Sequence, residues 1–202
     1  MSEASGQARD PRHAWFAVNR AKMEGPAFFD DICLNYYQIR LLNSLKVYHV
    51  RLHAYVLLPT EAWLLLTPEM PRSLFSMLDY VNGSYSEYFN DRFGRKGAVF
   101  PARPQLAVID SAQQLLDCQR LIESWPLAAG KVGHPGLYPW SSYIFNAFGG
   151  QSRFLSRHRF FREYLAATDN AFERYRQAIA TPLDPALRAR LEQRLLPPAD
   201  AA

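Results

Sequence analysis

His53-Ala-Tyr-Val-Leu-Leu-Pro-Thr-Glu-Ala-Trp-Leu-Leu-Leu-Thr-Pro-Glu69 is the stretch on which the fold turns. Upstream of it Tyr48, Val50 and Leu52 alternate, and the continuous apolar run that follows, to Leu58, predicts a central strand. Pro59-Thr60 turns the chain, and Ala62 to Thr67 supplies the second arm of a hairpin.

Working outward, His13 to Asn19 is short, apolar and β-prone, a first strand. Ile32, Tyr36, Ile39 and Leu42 recur at steps of three and four and predict an amphipathic helix over about residues 30–46. Leu74, Leu78, Val81, Tyr85 and Tyr88 predict a second over 73–90, broken by Gly94 and Gly97. Leu106 to Ile109 reads as the fourth strand. Leu115, Cys118, Ile122 and Trp125 mark a third helix that Pro126 is expected to end. The order β-α-β-β-α-β is that of a ferredoxin-like α+β fold, an antiparallel sheet with helices over one face. Residues His158 to Ile179 read as one further helix, and Leu187, Leu191 and Leu195 as another. The expected division is a disordered leader over 1–12, an α+β domain over 13–150 and a C-terminal helical extension over 151–202.

The 202 residues, 49% hydrophobic and 14% aromatic, suffice for a packed core. A net charge of +4 permits an acidic partner such as nucleic acid without demanding one. Cys33 and Cys118 lie apart in helical patterns, which fits reduced, buried thiols in a cytoplasmic protein. No apolar run approaches membrane-spanning length, and the polar start of the chain lacks a signal-peptide core. No Gly-rich phosphate loop, Ser/His/Asp arrangement or zinc motif is present. No cofactor and no membrane partner are expected.

The opening stretch resembles the core of the single-tyrosine HUH transposases, the REP-associated tyrosine transposases in particular, where the run reads roughly H-A-Y-V-L-M-P-N-H-V-H-L-L-L-T-P. Three more segments are similar to that family: Phe28-Phe-Asp-Asp31, Tyr88-Phe-Asn-Asp-Arg-Phe-Gly-Arg-Lys-Gly97 and Leu137-Tyr-Pro-Trp-Ser-Ser-Tyr143. The likeness spans about residues 13–167 and implies the same fold. It also implies a site of known chemistry. In the family two imidazoles and a polar helix residue hold a divalent metal that polarises a phosphate, while a tyrosine attacks phosphorus.

On this chain the two imidazole positions fall on Glu61 and Trp63. The family's R-Y-I-E-L-N-P run falls on Arg120-Leu-Ile-Glu-Ser-Trp-Pro126, so Leu121 stands at the nucleophile and Trp125 at the third ligand. The resemblance therefore implies a transposase-like protein with its catalytic residues replaced, hence no catalytic residue, no metal and no enzyme. Leu121 and Trp125, four apart on a helix, and Trp63 opposite are expected to meet and fill the old site with apolar volume. Glu123 is expected to be a solvated or structural carboxylate. Tyr85 and Tyr88 are read as a core stripe, His53 as packed against a neighbouring strand on the sheet face it shares with His49, and His13, His134 and His158 as isolated.

Nucleic-acid binding is the chemistry that remains. Arg92, Arg95, Lys96 and Arg103 cluster between the second helix and the fourth strand, and Arg20 matches an early arginine of the family. Arg157 and Arg159, with Arg153 and Arg162, interleave with Phe154, Phe160 and Phe161, a pattern suited to single-stranded or hairpin DNA and equally to an ordinary helix with a solvated face. The expected function is a catalytically inactive, domesticated transposase-like protein that binds hairpin or single-stranded DNA, with a regulatory role. The alternative is a protein-interaction module that has lost DNA affinity, with partners or self-association through the C-terminal helices.

Overall fold

The computed structural model describes residues 13–195, so the leader expected over 1–12 lies outside the described residues. Strands β1 (Ala14–Arg20), β2 (Val50–Leu58), β3 (Glu61–Pro68) and β4 (Gln105–Ile109) form one sheet in the order β2-β3-β1-β4. Every neighbouring pair is antiparallel. Helix α1 (Asp31–Val47) connects β1 to β2, and α2 (Ser73–Phe93) connects β3 to β4. This is the α+β, ferredoxin-like arrangement the element order predicts. Helices α3 (Ala112–Ala128), α4 (Tyr143–Ala147), α5 (Arg159–Ala167), α6 (Ala171–Ala180) and α7 (Pro185–Leu195) follow. None of the described helices is long and apolar enough to cross a membrane.

Helices cover both faces, not one. Ala17, Leu52, Leu57, Leu64 and Leu66 pack under α1 and α2. Phe16, Val18, Ala54, Val56, Trp63 and Leu65 pack under α3 and the C-terminal helices. The cause is legible in β3, whose apolar residues occupy consecutive positions and so point to opposite faces. One layer of helices leaves half of them in water.

The hairpin forms where expected, but β2 is an edge strand and not a central one. Its free edge is covered by the segment that follows α3. Leu57 N–H donates to Trp140 O, Ser142 N–H to Tyr55 O and Ser156 N–H to Leu52 O. Tyr138 adds its hydroxyl to Leu57 O at 2.6 Å. The Tyr138-Pro-Trp-Ser-Ser-Tyr143 run thus satisfies backbone groups that an open edge offers to other chains.

Four local expectations are corrected. In α1 the buried stripe is Cys33, Tyr37, Leu41 and Leu45, whereas Ile32 and Ile39 are exposed, at 59% and 56%. Tyr37 wins the inward face because its hydroxyl meets Asn19 and Asn82 beneath the sheet. Pro126 does not end α3, which runs two residues further; proline removes a single donor, and the carbonyls of Trp125, Pro126 and Leu127 are still met by the backbone N–H groups of Ala129, Lys131 and Gly130. The single helix expected over 158–179 is two, separated at Thr168–Asn170, where Asn170 adopts φ 53°. His49 precedes β2 with φ 52°, so it does not share a sheet face with His53.

Tyr85 and Tyr88 sit where the core stripe puts them. Tyr85 is buried and donates to Ala27 O at 2.5 Å, and Tyr88 stacks on Tyr36 with centroids 3.9 Å apart. Tyr85→Phe strands that carbonyl in the core, and we expect a loss of about 1–3 kcal/mol in urea unfolding.

Candidate functional site

β3 delivers Glu61 and Trp63 to the face covered by α3, two residues apart on one side of the strand. They meet different surroundings. Trp63 is 2% exposed, lies edge-on to Phe16 at 5.7 Å, and meets Trp125 of α3 at 6.3 Å with an interplanar angle of 70°. Leu121, also 2% exposed, belongs to the same cluster, and Trp125 is half-buried against it. Trp63, Leu121 and Trp125 do come together, as expected. Among the described residues the indole N–H of Trp63 has no hydrogen-bond partner, a cost set against the apolar contact its ring makes.

Glu61 lies at the end of the strand and faces Arg20, its register partner on β1, with Nε to Oε2 at 3.0 Å. Among the described residues no three His, Cys, Asp or Glu side chains converge to hold a metal ion. The donor set that a divalent ion needs does not fit here, because Glu61 is committed to a guanidinium and its neighbours are hydrocarbon.

His53 is buried between Ser156 O (2.6 Å from Nδ1) and Thr67 Oγ1 on β3 (2.9 Å from Nε2). Burial pushes its pKa down to about 3, so the ring is neutral. His158, expected to be isolated, is not: its ring lies 5.0 Å from that of His53.

Glu123 is not solvated. It is 0% exposed, and its carboxylate accepts from Ser142 Oγ (2.5 Å), Asn146 Nδ2 (2.7 Å) and the Tyr175 hydroxyl (2.7 Å). Burial, opposed by these three donors, pushes its pKa up to about 7. Sequence reading missed this site. Glu123 lies off the Leu115, Cys118 and Ile122 stripe, one helical turn from Gln119, so the apolar periodicity of α3 gave no signal for it.

The arginines divide into three groups. Arg92 forms an ion pair with Asp30 (2.5 Å) and also donates to the Tyr88 hydroxyl; its guanidinium holds the Asp30 carboxyl down at about 2. Arg157 donates to Phe145 O and Gly150 O and lies over the Phe145 ring, which ties the C-terminal segment to α4. Arg159 is exposed and covers Phe160 at 4.6 Å, apart from the others.

The third group is assembled by the sheet. Lys22 N–H donates to Val99 O, docking the exit of β1 against the loop between α2 and β4. That loop carries Arg95, Lys96 and Arg103, all exposed. The β1–β4 register, which pairs Val18 with Gln105, brings the Arg103 end of the loop alongside Arg20. Arg20, Lys22, Arg95, Lys96 and Arg103 therefore share one end of the sheet. Lys22 is an addition that sequence reading missed, because only the backbone bond to Val99 shows its neighbourhood.

No protein-family model matches the sequence, and no curated protein matches it. Among solved structures the chain is similar to a REP-associated tyrosine transposase bound to a REP hairpin, with a TM-score of 0.57 and 14% identity, over 72% of this chain and 86% of that one. At that identity the likeness establishes a transposase-like α+β fold.

Trp63→Ala is expected to destabilise the domain by about 3–5 kcal/mol in chemical denaturation, as large buried aromatics do, and Trp125→Ala by less because it is only partly buried. Glu61→Ala, which breaks an ion pair whose arginine is half exposed to screening solvent, is expected to cost about 1 kcal/mol.

Proposed function

We propose that this protein is a catalytically inactive, transposase-like nucleic-acid-binding protein whose DNA contacts lie at the Arg20 end of the sheet. The observation that carries the reading is the convergence of Arg20, Lys22, Arg95, Lys96 and Arg103 there, drawn from two segments far apart in sequence. Exposed cations grouped in this way gain affinity for phosphates by releasing condensed counterions. The solved structure of similar fold is bound to a DNA hairpin, which supports hairpin or single-stranded DNA as the partner class. Arg20 keeps about half of its side chain exposed beside Glu61, whereas Arg92 and Arg157, engaged more deeply within the protein, serve the scaffold in this reading, and Arg159 is peripheral.

Inactivity rests on chemistry. At the positions that the resemblance assigns to metal and nucleophile stand Glu61 in an ion pair, buried Trp63 and Leu121, and half-buried Trp125. A leucine side chain has no atom that can attack phosphorus. A second reading, a protein-docking module, draws on exposed Leu137 (68%), Ile144 (54%) and Phe148 (53%) around α4 rather than on the C-terminal helices first considered.

A labelled hairpin oligonucleotide separates the readings. Binding is expected to weaken steeply as salt rises, and Arg95→Ala/Lys96→Ala/Arg103→Ala together to flatten that dependence by about two to three units of log–log slope. Affinity unchanged in the triple variant would move the DNA site elsewhere, and no binding at low salt would leave the docking module.

With manganese or magnesium and single-stranded hairpin DNA, no covalent protein–DNA adduct is expected on a denaturing gel. The Glu61→His/Trp63→His variant should be less stable and equally inert, because Leu121 still lacks a nucleophilic atom. An adduct from the wild-type protein would overturn the inactive reading.

A further inference from the structure

Leu121 and Trp125, besides meeting Trp63, line a cleft of about 450 Å³ that Trp63 does not border. Ile179 of α6, with Pro182 and Leu183 before α7, forms the opposite wall. The volume lies within the roughly 300–1,000 Å³ of small-molecule sites, and the lining is mostly hydrocarbon, as such sites require. The two walls are tied together. From α3 the Arg120 guanidinium donates to Ala178 O at 2.9 Å and to Thr181 O at 3.2 Å, which fixes the end of α6 across the gap. The opening is therefore set by hydrogen bonds between its walls.

Two polar groups interrupt the apolar lining. Ser124 of α3 is 5% exposed and borders the cleft, and among the described residues its hydroxyl makes no hydrogen bond. A helical serine ordinarily returns its proton to a carbonyl of the preceding turn. Ser44 does so with Leu41 O and Ser86 with Asn82 O. A buried hydroxyl that does not is a donor held ready in apolar surroundings, and leaving it unmade is costly. Arg188 of α7 borders the same cleft. Its Nε donates to Glu192 at 2.8 Å in a pair more than a third exposed on both sides, which leaves the η nitrogens available. No carboxylate lines the cleft among the described residues. A hydroxyl donor and a guanidinium on hydrocarbon walls together select an acceptor that carries negative charge.

We propose that this cleft binds a small apolar monocarboxylate. Its hydrocarbon part lies against Leu121, Trp125, Ile179 and Leu183, and its carboxylate meets Arg188 and Ser124. Trp125 is only partly buried because one side of it belongs to this site. None of these residues is part of the basic group at the Arg20 end of the sheet, so the site stands whether or not the protein binds DNA.

The test titrates octanoate, and octan-1-ol as its uncharged counterpart, into the full chain, with affinities from calorimetry and positions from backbone amide shifts in NMR. Octanoate is expected to move the signals of Leu121–Ala128 and Ile179–Arg188 saturably, and octanol to bind about tenfold more weakly or worse, having no charge for the guanidinium. Arg188→Met should abolish the preference for the acid while leaving octanol affinity unchanged. Ser124→Leu, which places hydrocarbon in the cleft, should weaken both ligands. No saturable shift at millimolar octanoate, saturable shifts confined to other segments, or equal affinity for acid and alcohol in the wild type overturns the proposal. Should Ser124→Leu fail to fold, Arg188→Met, whose side chain is already a third in solvent, decides alone: a preference for the acid that survives it removes the site.

Discussion

β3 carries apolar side chains on both of its faces, and the burial of both is the constraint on which the rest of this structure depends. From Ala62 to Leu66 every residue is at most 2% exposed. A strand built in this way cannot sit in a two-layer fold with one wet face. The crossover helices α1 and α2 cover one side because the β-α-β-β-α-β order places them there. The other side needs α3 and the C-terminal helices, so residues 151–195 complete the core instead of decorating a finished domain: Phe161, Tyr175, Ile179 and Leu191 are all buried in the second cluster.

That requirement explains what Trp63 does at its position. Polar side chains converging from β3 and α3 at this depth need partners, and without them they form an unpaired buried polar set that costs several kcal/mol. Trp63, Leu121 and Trp125 carry little of that cost and supply apolar contact between the sheet and the helix. Glu61 escapes the same pressure because it lies at the end of the strand, where Arg20 reaches it and water reaches both. The boundary between apolar packing and paired charge follows depth along a single strand.

Much of this was legible in sequence, and the misses have physical causes. Periodicity found all four strands, and the core stripe of α2, because those elements are buried along one clear direction. It chose the wrong face of α1, where Tyr36, Tyr37, Ile39, Leu41 and Leu42 surround the helix and only tertiary hydrogen bonds at Tyr37 decide which side turns in. It took β2 for a central strand because an edge covered by backbone from residues 138–156 is as apolar as an interior one. That Trp63, Leu121 and Trp125 would meet was legible through motif spacing. The convergence of Lys22 with Arg95 and Lys96 was not, since it rests on a backbone contact between residues 77 apart.

The segment from Tyr138 to Tyr143 shows how a short motif can be specific without being catalytic. Its tyrosine hydroxyl, tryptophan carbonyl and second serine each meet a backbone group of β2. That same serine then turns to Glu123 on α3. Tyr138 and Ser142 therefore answer to sheet geometry, and Ser142 also answers to a buried carboxylate on another layer. Replacing that serine with a residue lacking the hydroxyl removes two contacts on different elements, whereas most surface loop residues touch one or none. A segment with this many simultaneous obligations is restricted in sequence whether or not the protein cleaves anything, so likeness to transposases across Tyr138–Tyr143 is evidence for the fold and carries no weight for catalysis.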